Sequence, residues 1–449
     1  MANDPADLTI GAARAELAAR RLSADELVRA VLARIEARDG ELNAYIHVDG
    51  EGAIAQAREA PEGPLQGIPL CVKDVVDVAG MPTTAGAAGW RRDPARDAPA
   101  VARLRAAGAV IVGKGNTNEF AYGIDGCNPH TGDTQNPRDR ERMTGGSSSG
   151  PAASLAAGMA LGAVGTDTSG SLRVHASLCG VVGLRPTRTR VPREGVVPLS
   201  WSYDAVGPMA RTAADAALLL STMAGQAIEP GAPRATGREA VGRPLAGTRI
   251  GVVEALIDGR CEPYVADGAR AALAVLGDLG AEVRPVAFEY LHHGPVIHRL
   301  VQMAEAATAH SPWFADQAPR YAPDVRTRLE AGRLVPARSY LQAQRARRLV
   351  VQELHAVMDA ERLDALAAPT TPAVAPRRGA DTRHVDGAEN PLRRGLMSLV
   401  VGLTESGGPV LALPVGEHDG LPFGMQLAGR PGAEPELLRM ATAYEAAAN

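Results

Sequence analysis

The strongest constraint in the chain is a pair of Gly/Ser-rich loops separated only by small apolar residues. The first loop is Gly145-Gly-Ser-Ser-Ser-Gly150 and the second is Gly165-Thr-Asp-Thr-Ser-Gly-Ser-Leu-Arg173. Between them, Pro151 to Val164 is almost wholly Ala, Leu, Gly and Met. That composition predicts a tightly packed buried helix that holds the two loops against each other. A Gly/Ser loop opening a helix presents unpaired backbone N–H groups, which can hold a phosphate or a developing oxyanion. The phosphate reading lacks its motifs, since neither GxxxxGK(S/T) nor GxGxxG after a strand occurs. A flexible linker is disfavoured too, because linkers are not joined through an apolar segment.

The surrounding pattern is that of an α/β protein. Ser23 with Glu26 three residues later reads as a capping box, and Leu27, Val31 and Ile35 follow at helical spacing. Leu65 to Val72 predicts a turn and a strand ending at Lys73-Asp74. A helix over 98–107, Gly108 and a strand over 109–112 come next, and 266–286 repeats that helix–Gly–strand order. Such units build a sheet with helices on its faces. Residues 225–244, rich in Gly, Pro and charge, predict a surface linker. Beyond it, 262–362 is more helical and contains the segment 296–334, expected as a lid. Leu396 to Pro414 predicts a last helix and an apolar strand. The expected organisation is one domain over 1–449: a helical region (1–63), a core (64–226), the helical region (262–362) and a return to the sheet (390–449).

Composition excludes several function classes. A net charge of −4 and a pI near 6.2 recommend neither a nucleic-acid nor an anionic-membrane partner. The cysteines Cys71, Cys127, Cys179 and Cys261 are widely spaced, with no metal or redox motif, and read as buried free thiols. The beginning of the chain lacks a signal-peptide pattern, and no apolar stretch is long enough to span a bilayer. The expectation is a cytoplasmic protein without cofactor or metal, acting as a monomer or homodimer.

A serine nucleophile needs a base. His175 and His130 lie near the loops, yet neither comes with an orienting carboxylate motif, and there is no G-x-S-x-G elbow. A neutral lysine is the alternative, because burial depresses a lysine pKa by up to roughly 3–5 units. Lys73 and Lys114 each follow an apolar run, and the local sequence does not choose between them.

Five segments together resemble the amidase-signature hydrolases over essentially the whole chain. They are Gly67-Ile-Pro-Leu-Cys-Val-Lys-Asp74, the two Gly/Ser loops, Cys179-Gly-Val-Val-Gly-Leu-Arg-Pro186 and Asp204-Ala-Val-Gly-Pro-Met-Ala-Arg211. The resemblance implies one large mixed β-sheet covered by helices on both faces. It implies Lys73 as the base, Ser147 as a bridging serine after a cis peptide bond, and Ser171 as the nucleophile of an acyl-enzyme mechanism. It also implies oxyanion donors at the backbone N–H groups of Thr168, Ser169 and Gly170, and a loop braced by Asp167 and Arg173. Two positions depart from the family pattern: Ser169 stands where glycine is usual, and His175 where proline is usual.

The acyl pocket is expected among Tyr122, Gly123, Ile124, Asp125, Cys127, Thr144, His175, Trp201 and Tyr203. The implied substrate is a small or aryl amide, with reach into carbamates (urethanase activity) and esters. Two other readings are the glutamine-hydrolysing component of a tRNA-dependent amidotransferase and a non-catalytic scaffold of the same fold. The segment Val197-Pro-Leu-Ser-Trp-Ser-Tyr-Asp204 is more similar to stand-alone amidases, and retention of Lys73, Ser147 and Ser171 together disfavours the scaffold.

Overall fold

Eleven strands form one mixed sheet in the computed structural model, which describes residues 4–231, 243–380, 382–385 and 388–448. In chain order the strands are β1 (Tyr45–Val48), β2 (Pro69–Lys73), β3 (Val110–Gly115), β4 (Gly162–Asp167), β5 (Val182–Arg185), β6 (Ala205–Ala210) and β7 (Arg249–Val253). They continue as β8 (Glu282–Val286), β9 (Ala365–Pro369), β10 (Thr382–Val385), β11 (Ala388–Pro391), β12 (Val410–His418) and β13 (Leu421–Ala428). The order across the sheet is β1-β3-β2-β4-β6-β5-β12-β13-β9-β7-β8, and β10 pairs only with β11. β2 runs parallel to both β3 and β4, whereas β4, β6, β5, β12, β13 and β9 pair antiparallel in turn.

Every residue of β2, β3, β4, β6 and β13 is buried. Successive strand residues point to opposite faces, so full burial means that both faces of the sheet are covered. The expected architecture is therefore the observed one.

Local expectations held in most places and failed in instructive ones. The capping box is present: the Ser23 N–H donates to Glu26 Oε2 at 2.8 Å, and the Glu26 N–H donates to Ser23 Oγ at 3.2 Å. Its helix, Ala24–Leu42, is preceded by a shorter one, Ile10–Ala18, which sequence reasoning missed. The stretch 151–164 is not one helix. The helix Ser149–Ala156 stops there, Gly158 takes a left-handed φ of 75°, and the chain turns into β4. Small apolar residues suited both elements because both are buried. The predicted linker falls largely on 232–242, outside the described residues. β13 and the helix Glu434–Ala448 lie beyond the elements read from sequence. Among the described residues, no helix is long and apolar enough to cross a membrane.

Candidate active site

The parallel pairing of β2 with β4 fixes the centre of the site. The register sets Val72 opposite Val164, so the two strands end side by side with Lys73 next to the segment that leads into the second Gly/Ser loop. Carboxyl ends of parallel strands are where α/β proteins place ligands. Lys73 is fully buried, and its Nζ donates to Ser147 Oγ and Thr166 Oγ1, both at 2.8 Å. Burial drives its pKa down to about 7, against the opposing pull of Asp167 and Asp204.

Lys114, the other sequence candidate, is equally buried but differently partnered. Its Nζ lies 2.9 Å from Asp74 Oδ1 and donates to Thr83 Oγ1 and the Pro82 carbonyl. Burial lowers its pKa too, but an ion pair with a buried carboxylate makes it a structural cation. Among the described residues, the hydrogen-bond partners of Lys73 Nζ are hydroxyls only.

Ser147 precedes the helix Ser149–Ala156, and the Gly146–Ser147 peptide is cis. The paired glycines fit a crowded turn: Gly145 has φ 75°, and a Cβ on Gly146 would stand 2.1 Å from Asn118 Oδ1. Ser171 sits between β4 and the helix Val174–Cys179 and is 4% exposed. Among the described residues its hydroxyl makes no hydrogen bond; Ser148 Oγ donates to its carbonyl at 2.6 Å.

Asp167 organises the second loop. It accepts the Gly170 N–H at 2.9 Å, the Leu172 N–H at 3.1 Å and the Arg173 guanidinium at 3.0 Å. Arg185, which sequence reasoning missed, adds a contact at 3.2 Å, and all three charged side chains are fully buried. Burial alone would raise the Asp167 pKa, but Arg173 and Arg185 outweigh it and hold the carboxyl well below the usual carboxylate range. Arg173 reaches on to the Val400 carbonyl and Gln426 Oε1, tying the loop to β13.

Of the oxyanion donors that the resemblance implies, Gly170 differs from the other two in this structure. Its N–H is already given to Asp167 Oδ1, whereas among the described residues the N–H groups of Thr168, Ser169 and Ser171 have no acceptor.

Ser171 opens into a narrow pocket of about 10 Å³ lined by Ala121, Tyr122, Gly123, Ile124, Thr168, Ser169, Leu199, Gln302 and Met397. Tyr122, Gly123 and Ile124 thus stand where the sequence placed them. Asp125 does not line it, because its carboxylate accepts from Asn118 and the Cys127 N–H. Thr144 is buried and bonds the Thr134 carbonyl. His175 packs behind Gly145, and burial, aided by the charge of Lys73, lowers its ring to about 3. His130 contacts Glu119 at 3.0 Å instead of a serine. Trp201, 43% exposed, lines a broader outer groove with Thr166, Thr168 and Asp204.

The helix Gly294–Gln317, which overlaps the segment 296–334 expected as a lid, is bonded into this site. Its buried His298 and Gln302 reach Ser169, and its buried Glu305 accepts from Ser200 Oγ at 2.6 Å and Ser202 Oγ at 2.5 Å. Sequence reasoning missed all three. Their spacing of four and three residues, polar within a half-apolar helix, was the available signal. The four cysteines are free, and Cys127 alone is half-buried. Among the described residues, no group of three His, Cys, Asp or Glu side chains could hold a metal ion.

A recessed hydroxyl, a desolvated lysine and unpaired backbone donors are groups that acyl transfer uses. The Amidase family profile matches residues 26–438. An amidase of Pseudomonas putida is 39% identical, covering 98% of this chain and 96% of that protein. A glutamyl-tRNA(Gln) amidotransferase component of Chloroflexus aurantiacus is 38% identical, with the same coverage. A crystal structure of an amidase superposes with a TM-score of 0.90 at 33% identity, covering 98% of this chain and 99% of that one. The chain belongs to the amidase family and is an amidohydrolase that cleaves C–N bonds.

Proposed function

We propose that this protein is a stand-alone hydrolase of small or aryl amides, with reach into carbamates and esters, acting through an acyl-enzyme on Ser171. The observation that carries the reading is the fully buried Lys73, hydrogen-bonded to Ser147 and Thr166 and, among the described residues, to no carboxylate. With its pKa brought down to about 7, a large share of this amine is neutral at pH 7 and can accept a proton. Lys73 takes the Ser147 proton while Ser147 takes that of Ser171, and Ser171 Oγ bonds to the carbonyl carbon. The backbone N–H groups of Thr168, Ser169 and Ser171 are the available oxyanion donors. The C–N bond then breaks, Ser147 returns the proton to the leaving amine, and water releases the acyl group. The Ser147–Ser171 hydrogen bond is absent here; such contacts commonly tighten only with substrate bound. Asp167 and Arg173 hold the loop that carries Ser171.

Identity does not separate this reading from that of a glutamine-hydrolysing amidotransferase component, because relatives of both kinds align almost equally well. Matched aryl-amide, aryl-carbamate, aryl-ester and glutamine substrates separate them. Amide turnover, with or without carbamate, should fall to background in Ser171→Ala. Turnover that survives the substitution overturns the mechanism, and turnover of glutamine alone replaces the stand-alone assignment.

A further inference from the structure

Ser169 is the one cavity-lining serine whose hydroxyl is locked from behind. Its Oγ lies 2.8 Å from His298 Nε2, and Gln302 Nε2 donates to it at 2.8 Å. His298 and Gln302 are four residues apart on one helix face, and both are buried. Behind the imidazole, His298 Nδ1 faces Glu405 Oε1 at 3.6 Å, and among the described residues neither atom has a hydrogen-bond partner. Glu405 is itself fixed, accepting from the Tyr203 hydroxyl at 2.9 Å and pairing with Arg347 at 3.1 Å, while the Tyr203 ring lies 4.0 Å from the imidazole.

These contacts determine which way the Ser169 hydroxyl is polarised. With a carboxylate oxygen 3.6 Å from Nδ1, the tautomer with its proton on Nδ1 is the one that faces that oxygen, and it leaves Nε2 as an acceptor. In that tautomer Nε2 takes the Ser169 O–H. A serine oxygen has one donor and two acceptor sites. In that arrangement the donor goes to His298 and one acceptor site to Gln302, so Ser169, a lining residue of the pocket, keeps a single acceptor site.

On this basis we propose that Ser169 determines specificity by accepting an N–H from the acyl side of the substrate. The favoured class is a small acyl group that bears an N–H beside the scissile carbonyl, as in carbamoyl or N-acylaminoacyl compounds. His298 is a positioning residue that acts through Ser169. The proposal deepens the acyl-enzyme reading above and rests on it.

The test uses two anilides that differ in one group: N-acetylglycine 4-nitroanilide and 4-oxopentanoyl 4-nitroanilide, in which CH2 replaces the N–H. The wild-type protein should favour the first in kcat/KM by roughly ten- to a hundred-fold, the worth of one buried hydrogen bond. Ser169→Ala should bring that ratio towards one, and so should His298→Ala, which frees the serine proton. Because the ratio is internal to each variant, a general loss of activity or stability does not imitate the effect. A wild-type ratio near one, or a ratio unchanged in Ser169→Ala, overturns the proposal. Failure to hydrolyse either anilide also overturns it, while fluorophosphonate labelling of Ser171 in that same protein would leave the nucleophile reading standing.

Discussion

Replacing Lys73 with Met is expected to lower amide kcat/KM by roughly a hundred- to ten-thousand-fold, the range that a positioned general base contributes. Methionine keeps the length and the apolar stem of the side chain but can neither donate nor accept the proton. The wild-type pH profile should agree with the site: kcat/KM should rise as pH increases through about 7, where the buried amine loses its proton. Stability gives an independent check. A lysine with a depressed pKa binds fewer protons folded than unfolded, so its burial destabilises the native state. That penalty is full below about pH 7 and disappears above the unfolded lysine value of about 10.4. Urea denaturation should therefore show the stability of Lys73→Met relative to wild type falling as pH rises across that window. A variant with near-wild-type amide turnover, or a pH profile without the rising limb, would contradict the assigned base.

The second large effect is expected on stability. Asp167→Ala leaves Arg173 and Arg185 buried without their shared carboxylate, and breaking such a pair costs about 3–5 kcal/mol. The Gly170 and Leu172 N–H groups lose their acceptor in the same step, so the loop carrying Ser171 should loosen and amide turnover should fall as well. In the wild type the depressed Asp167 pKa gives stability that is present above the ordinary carboxylate value. It is lost only as pH falls through the much lower folded value. Denaturation midpoints measured by circular dichroism would check both points. A loss below about 1 kcal/mol would show that the two arginines find other partners, against the large cost expected for a buried pair whose anion is removed.

Much of the fold was legible because burial wrote itself into periodicity. The helix capped by Ser23 and the helix–Gly–strand units at 98–112 and 266–286 are set by local spacing, and they form close to where that spacing put them. What was not legible depends on which distant segments meet. Lys73 and Lys114 look alike along the chain. Asp74 adjoins Lys73 in sequence, yet it lies in the turn just past β2, and with Lys114 opposite Val72 in the parallel register its carboxylate pairs with Lys114 instead. The family resemblance selected Lys73, and the partner set supplies a physical reason for that choice. The polar stripe of His298, Gln302 and Glu305 could be seen as unusual, but nothing local says that it meets a loop 129 residues earlier. The Asp167 side chain accepts the Gly170 N–H, a short-range competition that a backbone motif does not reveal. Tyr122, Gly123 and Ile124 were found in the pocket wall, while Asp125, Thr144 and His175 turn away to satisfy or bury their own polar groups.

Mapping where a fluorophosphonate attaches, while aryl-amide turnover is followed, shows whether Ser171 carries the acyl group. One phosphonylated residue is expected, Ser171, modified in step with the loss of turnover, with no labelling of Ser171→Ala. Inactivation with Ser171 unmodified, or labelling that persists at Ser169 or Ser147 in the variant together with amide turnover, would contradict it.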